Sequence, residues 1–233
     1  MSKFTCLKPL SDRVKLAPVK SKVLLSVIFI AIFALSRIPG LMPWNFSVAY
    51  AFAFCSGVFF KGKTGWWLPL VTIFATDMGL NFYYQYKLHV QDVWSAANLA
   101  NLFFNYVAYA VLILLGRSFK PQTSLPNLIG GGILGAILFY FITNTASWLF
   151  NPFHNPEYVK TLAGWLIALT KGTAGYPSTW EFFRNTLLSG ALFTALFGAV
   201  AKFTAESPAD KTAGAREPLK DEEAEAQPEE ANA

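Results

Sequence analysis

Apolar residues along this chain gather into runs too long for ordinary strands and too continuous for surface helices. Six segments approach the length of about 20 apolar residues that a bilayer crossing needs. They are Lys22–Ser36, Trp44–Phe60, Trp66–Tyr84, Asn98–Gly116, Leu128–Phe150 and Trp180–Phe203. Turn-forming residues separate them: Pro39 and Pro43, Gly62 and Gly65, Pro121 and Pro126, Pro152 and Pro156, Gly175 and Pro177. A further apolar stretch, Tyr158–Leu169, is short and follows a Pro-rich loop, so it reads as a re-entrant or interfacial helix. The pattern predicts an all-α membrane protein, a compact bundle of six transmembrane helices over 22–203. A basic arm over 1–21 precedes the bundle, and an acidic tail over 204–233 follows it.

The first segment is the shortest crossing. Its apolar core, Val23–Leu35, covers only about 20 Å at 1.5 Å per residue. Lys20, Lys22 and Arg37 can extend it by snorkelling. A cleaved signal peptide ending at Ala34-Leu35-Ser36 is the weaker reading, because the basic region before it is long and Arg37 and Pro39 follow at once.

Composition supports a membrane location. Charged residues are 14% of the 233, too few to cover a soluble surface, where about 25% is usual. The net charge of +5 hides two opposed regions. The tail carries nine acids against Lys211, Arg216 and Lys220, and it lacks aromatic residues, so disorder is expected there. Placing the N-terminus inside puts 14 of the 19 Lys and Arg residues on the cytoplasmic side. Only Arg37, Lys87, Lys160, Lys171 and Arg184 then fall outside, so both termini are expected in the cytoplasm. Cys6 lies in the basic arm and Cys55 in an apolar run, which predicts two free thiols.

The polar residues within the spans concentrate toward the outer end. Asn45 opens the second span, and Asp77 lies just past the middle of the third, with Asn81 and Tyr84 on the same helical face. Asn98, Asn101 and Asn105 make one stripe on the fourth. Thr143 and Asn144 sit in the outer third of the fifth, and Glu181, Arg184 and Asn185 open the sixth. The inner halves hold small hydroxyls, Cys55 and Tyr109. An unpaired amide or carboxylate is costly in hydrocarbon, so these groups must face one another, water or a ligand. The expected geometry is a polar, aromatic-walled cavity open to the outside.

Asp77 is the one acid in the middle of a span and is expected to face inward. Its expected partners are Asn45, the Asn101–Asn105 face, and Arg184 or Asn185. Structural readings stand beside the functional ones. Asn stripes also serve as interhelical bonds, Glu181 and Arg184 are spaced to pair, and Trp44, Trp148 and Trp180 suit an interfacial belt. Ala49, Ala53 and Gly57, then Gly131 and Gly135, then Gly190, Thr194 and Gly198 form small-residue faces for close helix contact. They serve either the bundle itself or a partner membrane subunit.

No metal, phosphate-loop or nucleophile–base motif is present, so neither an enzyme nor a cofactor is expected. The candidate ligand-binding residues are Arg37, Trp44, Asn45, Asp77, Asn81, Asn101, Asn105, Asn144, Trp148, Arg184 and Asn185. With Asp77 and Glu181 balancing Arg37 and Arg184, the expected ligand is a small neutral or zwitterionic molecule with an aromatic or heterocyclic part. A membrane scaffold without ligand is the alternative, and an intramembrane enzyme the weaker one.

Several motifs carry a resemblance. Arg37, the run Pro43-Trp44-Asn45-Phe46-Ser47, Gly57, Pro69 and Asp77-Met78-Gly79 resemble a family of uncharacterised six-span bacterial membrane proteins. Thr143-Asn144, Trp148, Tyr158, Thr161, Gly164, Asn185-Thr186-Leu187-Leu188 and Phe197-Gly198 extend the likeness over about residues 37–198. Ser189-Gly190 stands where that family tends to have Gly-Asp, which removes a carboxylate from the last span. More distantly, the family is similar to the substrate-capture (S) components of energy-coupling-factor transporters. That resemblance implies location in the bacterial inner membrane and an outward-facing pocket lined or gated by Arg37 and the Trp44-Asn45-Phe46 turn. It also implies docking on a transmembrane coupling subunit driven by ATPases.

Overall fold

The computed structural model describes residues 21–204, and those residues form helices without strands. The basic arm with Cys6 and the acidic tail lie outside the described residues. The helices are α1 (Ser21–Ser36), α2 (Ala49–Phe59), α3 (Thr64–Phe82), α4 (Ala96–Arg117), α5 (Leu125–Phe150), α6 (Leu162–Thr170) and α7 (Thr179–Thr204). A π-helical turn, Tyr83–Lys87, continues α3. Three helices, α4, α5 and α7, are long and apolar enough to cross a membrane. The 16 residues of α1 and the 11 of α2 reach about 24 Å and 16 Å, less than a hydrocarbon core of about 30 Å.

Local chemistry sets the helix ends. Ser95 caps α4 by accepting from the Asn98 amide at 3.3 Å, so α4 begins ahead of the expected Asn98. Pro126 in the first turn of α5 suits a position where no N–H is needed. Thr161 caps α6 through Gly164 N at 3.2 Å, which gives the short helix read from Tyr158–Leu169.

The second apolar segment departs most from expectation. A continuous helix over Trp44–Phe60 is not formed, because Asn45 takes a left-handed backbone conformation with φ 56°. The Ser47 hydroxyl then accepts from Ala49 N at 3.1 Å and starts the helix there. Pro39, Gly40 (φ 82°) and Pro43 keep the chain from Arg37 to Val48 out of regular structure.

The half-length α2 is the core. Every residue from Ala49 to Val58 is buried, against α1, α3, α4, α5 and α7. Phe29, Phe33, Phe52 and Phe197 fill the space beside it, with Phe33 stacked on Phe52 at 4.9 Å and Phe29 against Phe197 at 4.2 Å. The small-residue faces are used inside the bundle. A methyl group on Gly57 would stand 2.3 Å from the Ile113 carbonyl oxygen, and one on Gly116 would stand 2.1 Å from that of Phe54. Gly132 abuts Thr194 in the same way, and Gly190 abuts Ala136. Backbones therefore meet where side chains are absent.

The bundle is polarised. The ends of α2, α4 and α7, with the starts of α3 and α5, carry Lys61, Lys63, Arg117, Lys120 and Lys202 and no acid. Arg117 donates to Gly62 O at 2.5 Å and lies 5.1 Å over the Trp66 ring, and Lys202 donates to Thr123 O at 2.8 Å. The opposite end carries Asp92 and Glu157 in its connectors and Glu181 in the first turn of α7, interspersed with Lys87, Lys160, Lys171 and Arg184.

Candidate ligand cavity

At the end away from the basic cluster, the helices part around a cavity of about 500 Å³. Half of its twenty lining residues come from one irregular segment between Ser36 and Ser47, which includes Arg37, Asn45 and Phe46. The rest come from the start of α2 (Tyr50), the end of α3 (Leu80), the π-helical turn (Tyr84), α4 (Asn101, Asn105, Tyr109) and α5 (Phe139, Thr143, Asn144, Ser147). The irregular segment ahead of α2 pairs its backbone with other backbone only through local turns, such as Arg37 N to Ala34 O at 3.1 Å and Phe46 N to Pro43 O at 3.0 Å. At membrane depth that is tolerable only against protein or a watered cavity.

The irregular segment is held at several points. Asn185 donates to Trp44 O at 2.9 Å, Trp44 stacks on Phe182 at 6.4 Å, and Phe46 meets Phe193 edge-on at 5.8 Å. Its first residue, Arg37, forms the one salt bridge among the described residues, donating through Nη2 to Asp77 Oδ1. The Tyr106 hydroxyl donates to the other carboxylate oxygen at 2.9 Å. The Arg37 Nε is buried without a partner. Below this cluster Tyr50, Tyr109 and Phe139 form an aromatic floor, with centroids 4.5 Å apart for Tyr50 and Phe139 and 5.1 Å for Tyr109 and Phe139.

A smaller hollow of about 300 Å³ adjoins the cavity and shares Tyr84, Asn101 and Asn105 with it. Asn81, Asn98, Val90 and Val93 complete its wall. The amides around the two hollows divide into two groups. Asn98 donates to Asp92 O at 2.7 Å and Asn144 to Tyr140 O at 2.8 Å, so both are committed to the fold. The side chains of Asn45, Asn81, Asn101 and Asn105 make no hydrogen bond with the described residues.

The candidate residues therefore separate by role. Arg37, Asn45, Asn101, Asn105 and Asn144 line the cavity, and Asn81 lines the adjoining hollow. Asp77 lies behind the wall, and its partners are Arg37 and Tyr106. The expected contacts of Asp77 with Asn45, the Asn101–Asn105 face, Arg184 or Asn185 are not formed, because the chain turns back after α1 and delivers Arg37 first. Trp44 faces outward and contributes its carbonyl to Asn185, which ties down the segment and does not line the cavity. Trp148 is also away from the cavity: its indole donates to Val159 O at 2.7 Å and Lys160 sits over its ring. Arg184 is exposed, and its expected partner Glu181 instead accepts from the Ser178 hydroxyl at 3.2 Å. The charge balance of the cavity therefore rests on Arg37 and Asp77 alone.

Tyr106 and Tyr109 were not among the candidates. Tyr109 was placed with the inner residues, yet it lines the cavity. The signal was present: Tyr109 continues the Asn98, Asn101, Asn105 stripe by one more step of four. No group of His, Cys, Asp and Glu among the described residues is arranged to hold a metal. Comparison with curated proteins and with solved structures finds no match. Over residues 18–210 the chain matches the family of unknown function DUF6580, and it belongs to that family.

Proposed function

We propose that this is a six-span membrane protein that captures a small neutral or zwitterionic solute in the cavity, on the side of the membrane opposite its basic end. The spans are α1, α2 with its irregular leader, α3 with its π-helical turn, α4, α5 and α7, while α6 lies at the interface. The basic cluster around Lys61, Arg117 and Lys202 then faces the cytoplasm together with the N-terminal arm, whose Lys3, Lys8, Arg13, Lys15, Lys20 and Lys22 supply most of the bias in Lys and Arg. Both termini lie on that side in this reading.

The observation that carries the proposal is the set of uncommitted amides. A scaffold would spend its intramembrane polar groups on itself, as Asn98, Asn144 and Asn185 do. Asn45, Asn81, Asn101 and Asn105 stay free beside an aromatic floor, which is the composition of a small-molecule pocket. The resemblance to S components agrees with this reading. The small-residue faces through which S components dock are spent inside this chain, so capture is proposed here without a coupling subunit.

The test is gentle purification of the full chain followed by mass spectrometry of co-purified small molecules. A single enriched species, lost from the doubly substituted Asn101→Ala/Asn105→Ala protein while the bundle stays folded, is the expected result. An empty wild-type protein, or a species retained equally by the variant, would reject the reading.

A further inference from the structure

An uncommitted Asn side chain offers two N–H donors and a carbonyl acceptor. The ligand group that satisfies it in two bonds at once carries a donor beside an acceptor, as a carboxamide, a lactam or a ureide does. Asn101 and Asn105 are one helical turn apart on α4, at the junction of the two hollows. A carboxylate only accepts, and in a pocket it calls for a cation. The one cation among the lining residues is Arg37, and its guanidinium is engaged by Asp77. The Tyr106 hydroxyl bond holds Asp77 in that position at 2.9 Å.

Within the capture reading above, on which this rests, we infer that the site selects an uncharged ligand with a carboxamide, lactam or ureide edge read by Asn101 and Asn105. Asp77 sets that selectivity by keeping the Arg37 charge occupied. The ring of such a ligand lies on the floor of Tyr50, Tyr109 and Phe139, where aromatic contact adds to the hydrogen bonds. Asp77 is thus a positioning residue: it acts through Arg37 and does not itself line the cavity.

The experiment titrates the full chain in lipid nanodiscs with three probes that share a ring: benzamide, benzoate and phenylalanine. The wild type is expected to bind benzamide at least about tenfold more tightly than the other two, because a carboxylate leaves the amide acceptors unmatched. Asp77→Asn frees Arg37 and is expected to reverse the order in favour of benzoate. Asn105→Ala is expected to weaken benzamide about tenfold, and it decides the matter if Asp77→Asn does not insert. Benzoate or phenylalanine binding the wild type as tightly as benzamide overturns the inference, as does a wild type that does not bind benzamide. An unchanged order in Asp77→Asn, or unchanged benzamide affinity in Asn105→Ala, overturns it too. A zwitterionic species found by co-purification would overturn this inference and leave the capture reading standing.

Discussion

Replacing Asp77 with leucine strands the Arg37 guanidinium, and replacing Arg37 with methionine strands the Asp77 carboxylate. Breaking a fully buried pair from one side costs about 3–5 kcal/mol, chiefly as the desolvation of the charge left behind. This pair is not fully buried: the side chains are 23% and 12% exposed, and Arg37 borders a cavity that water can enter. Discounting for that hydration, each single change is expected to cost about 2–4 kcal/mol. The double change removes both charges, leaves apolar side chains of similar size, and strands only the Tyr106 hydroxyl, at a further cost of about 1 kcal/mol. The assay is thermal unfolding of the four proteins in one detergent. Each single variant should melt lower by on the order of 10 °C, and the double variant should recover at least half of either loss. A double variant whose loss equals the sum of the two singles would refute the reasoning, since it would show that the two charges do not act on each other.

Other consequences are open to measurement. Gly57→Ala pushes a methyl group into the Ile113 carbonyl and should destabilise by about 1–3 kcal/mol or more, whereas Gly130→Ala meets nothing within 4 Å and should be neutral or gain up to about 1 kcal/mol in chemical denaturation. Topology reporters fused at Lys120 and at Glu206 should both report the cytoplasm, and an external signal at either would reverse or break the six-span arrangement. Tyr140→Phe deletes the bond from its hydroxyl to Leu169 O and should cost about 0.5–1.5 kcal/mol, seen as faster backbone hydrogen exchange in α6 than in α5.

Much of the architecture is legible in the sequence, because long apolar runs and Pro or Gly punctuation are local signals. The starts and ends of α1, α5 and α7 follow from them to within a few residues. The break before α2 is not legible in the same way. Residues 44–60 are apolar enough for a continuous helix, and what stops it is the left-handed backbone of Asn45, which residue type alone does not dictate. The site divides similarly. The Asn101 and Asn105 stripe is a helical periodicity and shows in the sequence. The partner of Asp77 lies forty residues earlier in the chain, and only tertiary structure brings Arg37 to it. Trp44, Trp148 and Arg184 have the composition of site residues, yet their side chains serve the exterior. Residue type and depth do not fix which way a helix is rotated.

The burial of α2 has a consequence for how the chain is made. In the six-span arrangement, Ala49–Val58 has no side turned to lipid, and beyond α1 its cover is supplied by α3, α4, α5 and α7, which are synthesised later. At a growth of roughly 5–20 residues per second, about 7–30 s separate the emergence of Phe59 from that of Thr204. During that interval a helix of 11 residues, joined to an irregular backbone, cannot rest stably in hydrocarbon by itself. The insertion machinery must therefore shelter it until α4, α5 and α7 arrive, and release of the early spans has to be delayed. In that arrangement a nascent chain cut short before Thr179 is expected to be degraded and not to form a smaller bundle.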